Sequence, residues 1–329
     1  PNHHIGRPCK TRKEGLLLVN LGTPEDTSAK SVRRYLNEFL SDPRIIDMPQ
    51  VLWRPLLYGV ISPLRAPASA KKYRTVWHPE GSPLMVHTKN LAAKVQELLP
   101  DYDVKIAMRY GQPSIQKQVK QMVTHGVKSI TVIPLFPQYS STTTASVMDE
   151  VWRALGNHRR VPELRIVRDY PDHPEYLDAL AETVRDSFEK NGKPDVLVLS
   201  YHGIPERFVS KHGDDYPEQC QATTAGLVER LGLDEDDYIV TYQSKFGPGE
   251  WIGPATIDTV EALGKQGVEH IQVIAPGFVA DCLETLEELD MLNRETYLAA
   301  GGSTFHYIPA LNDHSGLARA LADLAENEQ

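Results

Sequence analysis

Eight short apolar runs punctuate the chain, and longer stretches with helical spacing separate most of them. The runs are Gly15–Asn20, Val104–Arg109, Ser129–Phe136, Leu164–Asp169, Val196–Tyr201, Tyr238–Gln243, His270–Ala275 and Thr304–Ile308. Between them lie patterns such as Tyr176–Phe188, whose apolar residues recur with the period of a helix. Strand–helix alternation predicts βαβ units and parallel sheets. The eight strands divide into two groups of four, with a break near Asp169–Glu175. The expected fold is α/β, with two Rossmann-like domains, each a four-stranded parallel sheet flanked by helices. The halves are expected at 14–170 and 171–314, and a final helix at 315–326 is placed to pack back on either of them, the first included. No fixed-period repeat is present, so any duplication is one of structure only.

A length of 329 residues exceeds one ordinary core and agrees with two domains. Apolar residues at 41% and charged residues at 24% are normal for a soluble globular protein. A net charge of −9 argues against nucleic acid as a partner, because that partner needs a basic footprint. No run of about 18 apolar residues exists, so no membrane span is expected. Cys9, Cys220 and Cys282 are widely spaced and form no Cys-x-x-Cys pair. Neither a disulfide framework nor a zinc knuckle is signalled, and a reducing compartment fits. Residues 1–13 lack the apolar core of a secretory signal and read as a mobile tail, in which His3 and His4 would bind metal only weakly.

The layout is Rossmann-like, yet no Gly-x-Gly-x-x-Gly follows the first strand, so a dinucleotide is not the expected ligand. Gly22 in Asn20-Leu-Gly-Thr-Pro24 permits a tight turn or a close approach instead. No Walker motif, nucleophile elbow or His-Glu-x-x-His is present.

The chemistry gathers at strand ends. His202 closes the run Asp195–Arg207, at the carboxyl edge where open α/β sheets bind ligands. An imidazole there takes protons or binds a metal near neutral pH. A lone histidine is more often structural, but this one has company. Asp281, Glu284 and Glu288 follow the seventh strand at i, i+3 and i+7, one face of a helix, with Leu283, Leu286 and Leu289 on another. Simple charge matching at a helix N-terminus accounts for some of these acids. Several on one face also suit a relay for protons or a divalent ion. Both groups lie in the same half and would face one crevice. A His opposite a Glu, without a closed ligand set, points to transient metal handling rather than storage.

Other strand ends reach the same rim. Arg109-Tyr110-Gly111 ends one. Pro134–Thr144 ends another with Phe136, Tyr139, Ser140 and further hydroxyls, one of which also suits a helix N-cap. Ser244–Trp251 brings an aromatic. The stretch Val51–Ala66 holds large apolar residues, Arg54 and Arg65, and no acid, and Lys71, Lys72 and Arg74 follow. It reads either as a core helix broken by Pro55 and Pro63, or as an apolar lip flanked by cations that suit carboxylates or anionic lipid head groups.

Together these motifs resemble the ferrochelatase family, which inserts ferrous iron into protoporphyrin IX in the last step of haem synthesis. The resemblance rests on Leu199–Arg207 followed by Gly213-Asp-Asp-Tyr-Pro217, on Asn20–Pro24, Pro137–Ser140, Ser244–Pro248 with Trp251, and Leu283–Leu286, in order from about residue 15 to about residue 310. It implies a chelatase fold with a porphyrin cleft between the halves. It implies His202 and Glu284 as the catalytic pair and metal contacts, with Asp281 and Glu288 extending a proton or metal relay. Leu21, Arg109, Tyr110, Phe136, Tyr139, Ser140, Trp251 and Phe278 would bind porphyrin, and Trp53, Leu56, Leu57, Ile61 and Leu64 would form the lip. Protoporphyrin IX and Fe²⁺ are the implied substrates, with no cofactor required.

Two departures from the family pattern matter. Cys282 stands where many members carry His, and the chain ends at Gln329 without the terminal cysteines that bind a [2Fe–2S] cluster in some of them. No iron–sulfur cluster is therefore expected. The form of the His202 motif is closest to bacterial members, which implies a cytoplasmic protein, a monomer or weak dimer, with peripheral contact on the inner face of the membrane through the lip. A chelatase for cobalt or for coproporphyrin, and a non-catalytic porphyrin carrier, remain alternatives at this level.

Overall fold

A computed structural model of the chain describes residues 13–327, so the tail with His3, His4 and Cys9 lies outside the described residues. All eight expected strands form. β1 (Glu14–Gly22), β2 (Tyr102–Tyr110), β3 (Ser129–Pro134) and β4 (Glu163–Ile166) make one sheet in the order β2-β1-β3-β4. β5 (Val196–His202), β6 (Tyr238–Gln243), β7 (His270–Ile274) and β8 (Thr304–Ile308) make the other in the order β6-β5-β7-β8. Every pairing is parallel. The two halves thus share one topology without a sequence repeat. In each, the chain moves outward from its first strand and then returns to that strand's other side. This leaves a crevice at the carboxyl ends of β1 and β3, and a second at those of β5 and β7.

Alternation along the strands explains the layers. Leu16 and Leu18 of β1, Ile133 of β3, Leu197 and Leu199 of β5 and Ile274 of β7 belong to one apolar cluster shared by both sheets. Leu17, Val19 and Val132 point to a second cluster, and Val196, Val198 and Val273 to a third. Successive side chains on a strand face opposite ways, so strands covered on both sides must be apolar throughout. Full burial of each such side chain contributes about 1.5–3 kcal/mol.

The final helix, Ser315–Glu326, packs against the helices Pro83–Leu98 and Pro174–Asn191 and so touches both halves. Its terminal carbonyls at Leu324 and Ala325 accept from Arg165 on β4, and His173 reaches its Asp323 at 2.8 Å.

The proline-containing stretch is not broken. It runs as a helix over Gln50–Leu56, a π-helical turn over Leu57–Ile61 and a helix over Ser62–Val76. Proline lacks an N–H and crowds the carbonyl four residues back. The wider i→i+5 turn between Pro55 and Pro63 takes up that misfit while the rod continues. No helix among the described residues is long and apolar enough to cross a membrane.

Gly22 ends β1 with φ +131°, and a Cβ there would sit 1.9 Å from the Tyr110 carbonyl oxygen. The residue is needed for a close approach of β1 to β2. Gly22→Ala should destabilise the protein by about 3 kcal/mol or more in denaturant unfolding, because backbone must move and the new residue is held at positive φ. An unchanged midpoint would contradict this reading.

Candidate active site

The two crevices open into one cavity of about 1210 Å³, including the space at its mouth. Its walls come from four strand ends. Asn20–Gly22 end β1 and Thr23 follows it, Leu135, Phe136 and Gln138 follow β3, His202 ends β5 and Gly203–Pro205 follow it, and most of Gly277–Glu284 follows β7. Tyr35, Phe39, Tyr73, Phe246 and Trp251 complete an aromatic lining. Among the described residues no Lys or Arg lines it, and His202 and Glu284 are the only imidazole and carboxylate there.

His202 is the last residue of β5, paired in register with Gln243. Its Nδ1 lies 2.6 Å from the Gly203 carbonyl oxygen. A carbonyl only accepts, so Nδ1 carries the proton and the neutral ring keeps its free lone pair on Nε2. The Phe278 ring stands 6.2 Å from the imidazole, centroid to centroid. The arrangement presents one free basic nitrogen among apolar walls.

Glu284 starts a ten-residue π-helix, Glu284–Asn293. The expected α-helical face therefore does not form. Hydrogen bonding to the fifth residue along widens the turn; Glu284 and Glu288 remain neighbours in successive turns, while Asp281 lies before the helix. Asp281 precedes the helix and is buried, accepting from Tyr307 (2.7 Å), Thr285 (2.8 Å) and Asn312 (3.0 Å). It does not line the cavity. The Glu288 carboxylate accepts from the Ser244 backbone N–H at 2.8 Å, the Ser244 hydroxyl at 2.6 Å and Gln243 at 3.0 Å. Burial pushes this carboxyl above the ordinary range. The hydrogen bonds and the nearby His202 oppose the rise, and Glu284 adds to it.

Cys282 also lines the cavity. Burial, reinforced by Glu284, pushes its thiol well above the ordinary value, so it stands as a protonated apolar wall. Burial likewise keeps the Tyr35 and Tyr73 phenols neutral beside Glu284.

Of the other residues singled out from sequence, Leu21, Phe136, Trp251 and Phe278 line the cavity. Arg109 and Tyr110 do not. Both bind the buried Asp42, at 3.1 and 2.5 Å, and Arg109 also donates to Ser146 at 2.7 Å. Ser140 donates to the buried Asp214 at 3.0 Å, and Tyr139 lies under the Arg168 guanidinium at 3.7 Å. These four hold the walls in place from behind. In the lip, Trp53 and Leu57 face inward, with the Trp53 indole N–H donating to the Leu40 carbonyl at 2.7 Å. Ile61 packs against the same cluster, while Leu56 and Leu64 are exposed. Sequence reasoning missed Tyr35, Phe39 and Tyr73. The first two recur at helical spacing in Ala29–Leu40, a signal that was available. Val51 and Leu52, within the apolar stretch read as a lip but outside the lip residues that the resemblance implies, are 85% and 68% exposed.

Two sheets of this order around a shared crevice define the architecture of the tetrapyrrole chelatases. SirB from Bacillus subtilis, solved with Fe³⁺, superposes with a TM-score of 0.56 at 12% identity over 95% of this chain and 94% of that one. CbiX, described as the terminal enzyme of sirohaem biosynthesis in denitrifying bacteria, gives 0.52 at 14% identity over 95% and 100%. The sequence is more specific: the pattern of the ferrochelatase family matches residues 13–329, and the chain belongs to that family. A ferrochelatase of Klebsiella pneumoniae is 51% identical over 300 residues, 91% of this chain and 93% of that one. One of Sodalis glossinidius is 48% identical over 312 residues, covering 95% and 93%.

The Glu288 environment yields a pH signature. A carboxyl raised in the folded state adds stability below its ordinary value and loses it as pH rises through the folded value. Glu288→Gln should therefore gain in melting temperature relative to wild type as pH rises above the ordinary carboxyl value, the difference widening with pH. A difference that is constant with pH would show that Glu288 titrates normally.

Proposed function

We propose that this ferrochelatase inserts Fe²⁺ into protoporphyrin IX in the cavity between its two crevices, releasing two protons. The observation that carries the reading is an aromatic cavity whose only imidazole and only carboxylate among the described residues come from the end of β5 and from the π-helix that follows the adjacent parallel strand β7. Two pyrrole N–H protons must leave as the metal enters, so a base is required. His202, with its free Nε2, is that acceptor and a contact for the incoming metal. Glu284, on the wall, receives protons or metal next. Glu288, held partly buried by Ser244 and Gln243, extends the path away from the cavity. The macrocycle's large apolar faces would bind against Leu21, Phe136, Trp251 and Phe278, and that binding energy is available to hold the ring in a reactive shape.

A lining that among the described residues offers no Lys or Arg suits protoporphyrin, with two carboxylates at one edge, better than coproporphyrin, with four. Anaerobic insertion of Fe²⁺, followed by loss of porphyrin fluorescence, tests the assignment. Wild type should convert protoporphyrin in preference to coproporphyrin. Glu284→Gln should lower turnover by about 100-fold while porphyrin affinity changes little. Equal use of both porphyrins, or full turnover in the variant, would overturn the substrate or the residue assignment respectively. Iron is a substrate here, and the purified protein should carry no iron–sulfur absorption band.

We place the protein in the cytoplasm, as a monomer or weak dimer, touching the inner face of the membrane. The support is the exposed apolar row Met48, Val51, Leu52, Leu56, Val60 and Leu64, with exposed Arg54 and Arg65 along it. Vesicles with anionic lipid should sediment the wild type, and Val51→Ser/Leu52→Ser should weaken that binding by about 10-fold, from roughly 1–2 kcal/mol of lost apolar burial. Equal sedimentation of both proteins would remove the lip from this role.

A further inference from the structure

We propose that Asn312, in the loop between β8 and the final helix, is a positioning residue for Glu284, and that Asp281 serves this clamp rather than the proton path. The inference rests on the reading of Glu284 as an active-site acid. Asn312 is one of two non-glycine residues at positive φ among the described residues, at 54°. Three of its four polar groups bind the far side of the loop that lines the cavity. The backbone N–H donates to the Val279 carbonyl at 2.7 Å. The side-chain oxygen accepts from the Asp281 backbone N–H at 2.8 Å, and the side-chain nitrogen donates to the Asp281 carboxylate at 3.0 Å.

The clamp continues into the π-helix. Asp281 also accepts from the Thr285 hydroxyl at 2.8 Å, and that hydroxyl in turn accepts from the Cys282 N–H at 3.0 Å. Glu284 lies between the two ends of this ring of bonds. Val279, Ala280, Cys282, Leu283 and Glu284 present their other side to the cavity. A loop that must hold a carboxylate against a flat ligand has no strand pairing of its own at this point. Asn312 supplies the missing reference. Asparagine suits the site because it tolerates the left-handed conformation and offers a donor and an acceptor on one planar group. Asp281, saturated by three side-chain donors and directed away from the cavity, orients the loop and passes no proton.

Asn312→Gly keeps the backbone conformation and removes the amide. It should bind porphyrin within about 2-fold of wild type while kcat falls about 10- to 100-fold, as expected when a supporting contact is lost. The decisive variant is the exchange Asp281→Asn with Asn312→Asp. The exchange keeps both hydrogen bonds, the backbone N–H of residue 281 still donating to the side chain at 312 and the bond between the two side chains reversed in direction, but leaves position 281 unable to ionise. We expect it to restore kcat to within about 3-fold of wild type, whereas Asn312→Asp alone stays low. A folded exchange variant as slow as Asp281→Ala would overturn the proposal and return Asp281 to the proton path. A folded Asn312→Gly with wild-type kcat would overturn it as well. Glu284→Gln, assayed alongside, separates the two levels. If it is slow and the exchange is not rescued, the clamp fails and the Glu284 assignment stands. If it turns over normally, the Glu284 assignment fails whatever the exchange does.

Discussion

The apolar layer shared by the two sheets sets the position of every group at the cavity. Leu16 and Leu18 from one sheet and Leu197 and Leu199 from the other are buried in the same cluster. Both faces of each sheet are covered, so neither face is free for a ligand. What the sheets can offer is their carboxyl edge, where the order of strands reverses direction and the connecting segments part. Because the two sheets share a core, their two reversal points face one space. A shared cavity follows from that packing, and the residues at and beyond the ends of β1, β3, β5 and β7 become its walls.

Within the cavity, chemistry depends on how few polar groups enter it. The Gly203 carbonyl fixes the tautomer of His202, and burial keeps the Cys282 thiol and the Tyr35 and Tyr73 phenols protonated. The charge that remains at the wall is the Glu284 carboxylate, with Glu288 behind it in an environment that raises its affinity for a proton. The imidazole and the two carboxylates lie close enough for His202 and Glu284 to act on the charge of Glu288. Glu284 and Glu288, four residues apart, lie one turn apart in the π-helix, while Asp281 precedes it and is held elsewhere.

Strands, topology class and most of the cavity's strand-end residues were legible because they obey rules of short range. An apolar run bounded by turn residues reads as a strand, and His202 at the end of one is placed by chain direction alone. The rest depended on partners distant in sequence or on a change of helical period. Arg109 and Tyr110 end a strand as porphyrin contacts should, yet Asp42, 67 and 68 residues away, draws both aside. Asp281 shares an α-helical face with Glu284 on paper, but the helix is wider and begins later. Pro55 and Pro63 read as breaks because proline removes a hydrogen bond, and the sequence carries no mark of the π turn that absorbs them. Trp53 and Leu57 looked like lip residues for the same reason, since the pitch of the rod decides which side faces Leu40.

The central claim is that His202 takes protons from a porphyrin bound in this cavity. It is tested most directly by single-turnover insertion of Fe²⁺ into protoporphyrin by His202→Ala under anaerobic conditions, with porphyrin affinity measured on the same protein. The account predicts porphyrin affinity near that of wild type and an insertion rate lower by about 100- to 10,000-fold, the range expected for loss of a general base. Insertion at the wild-type rate in a variant that binds porphyrin normally would contradict it.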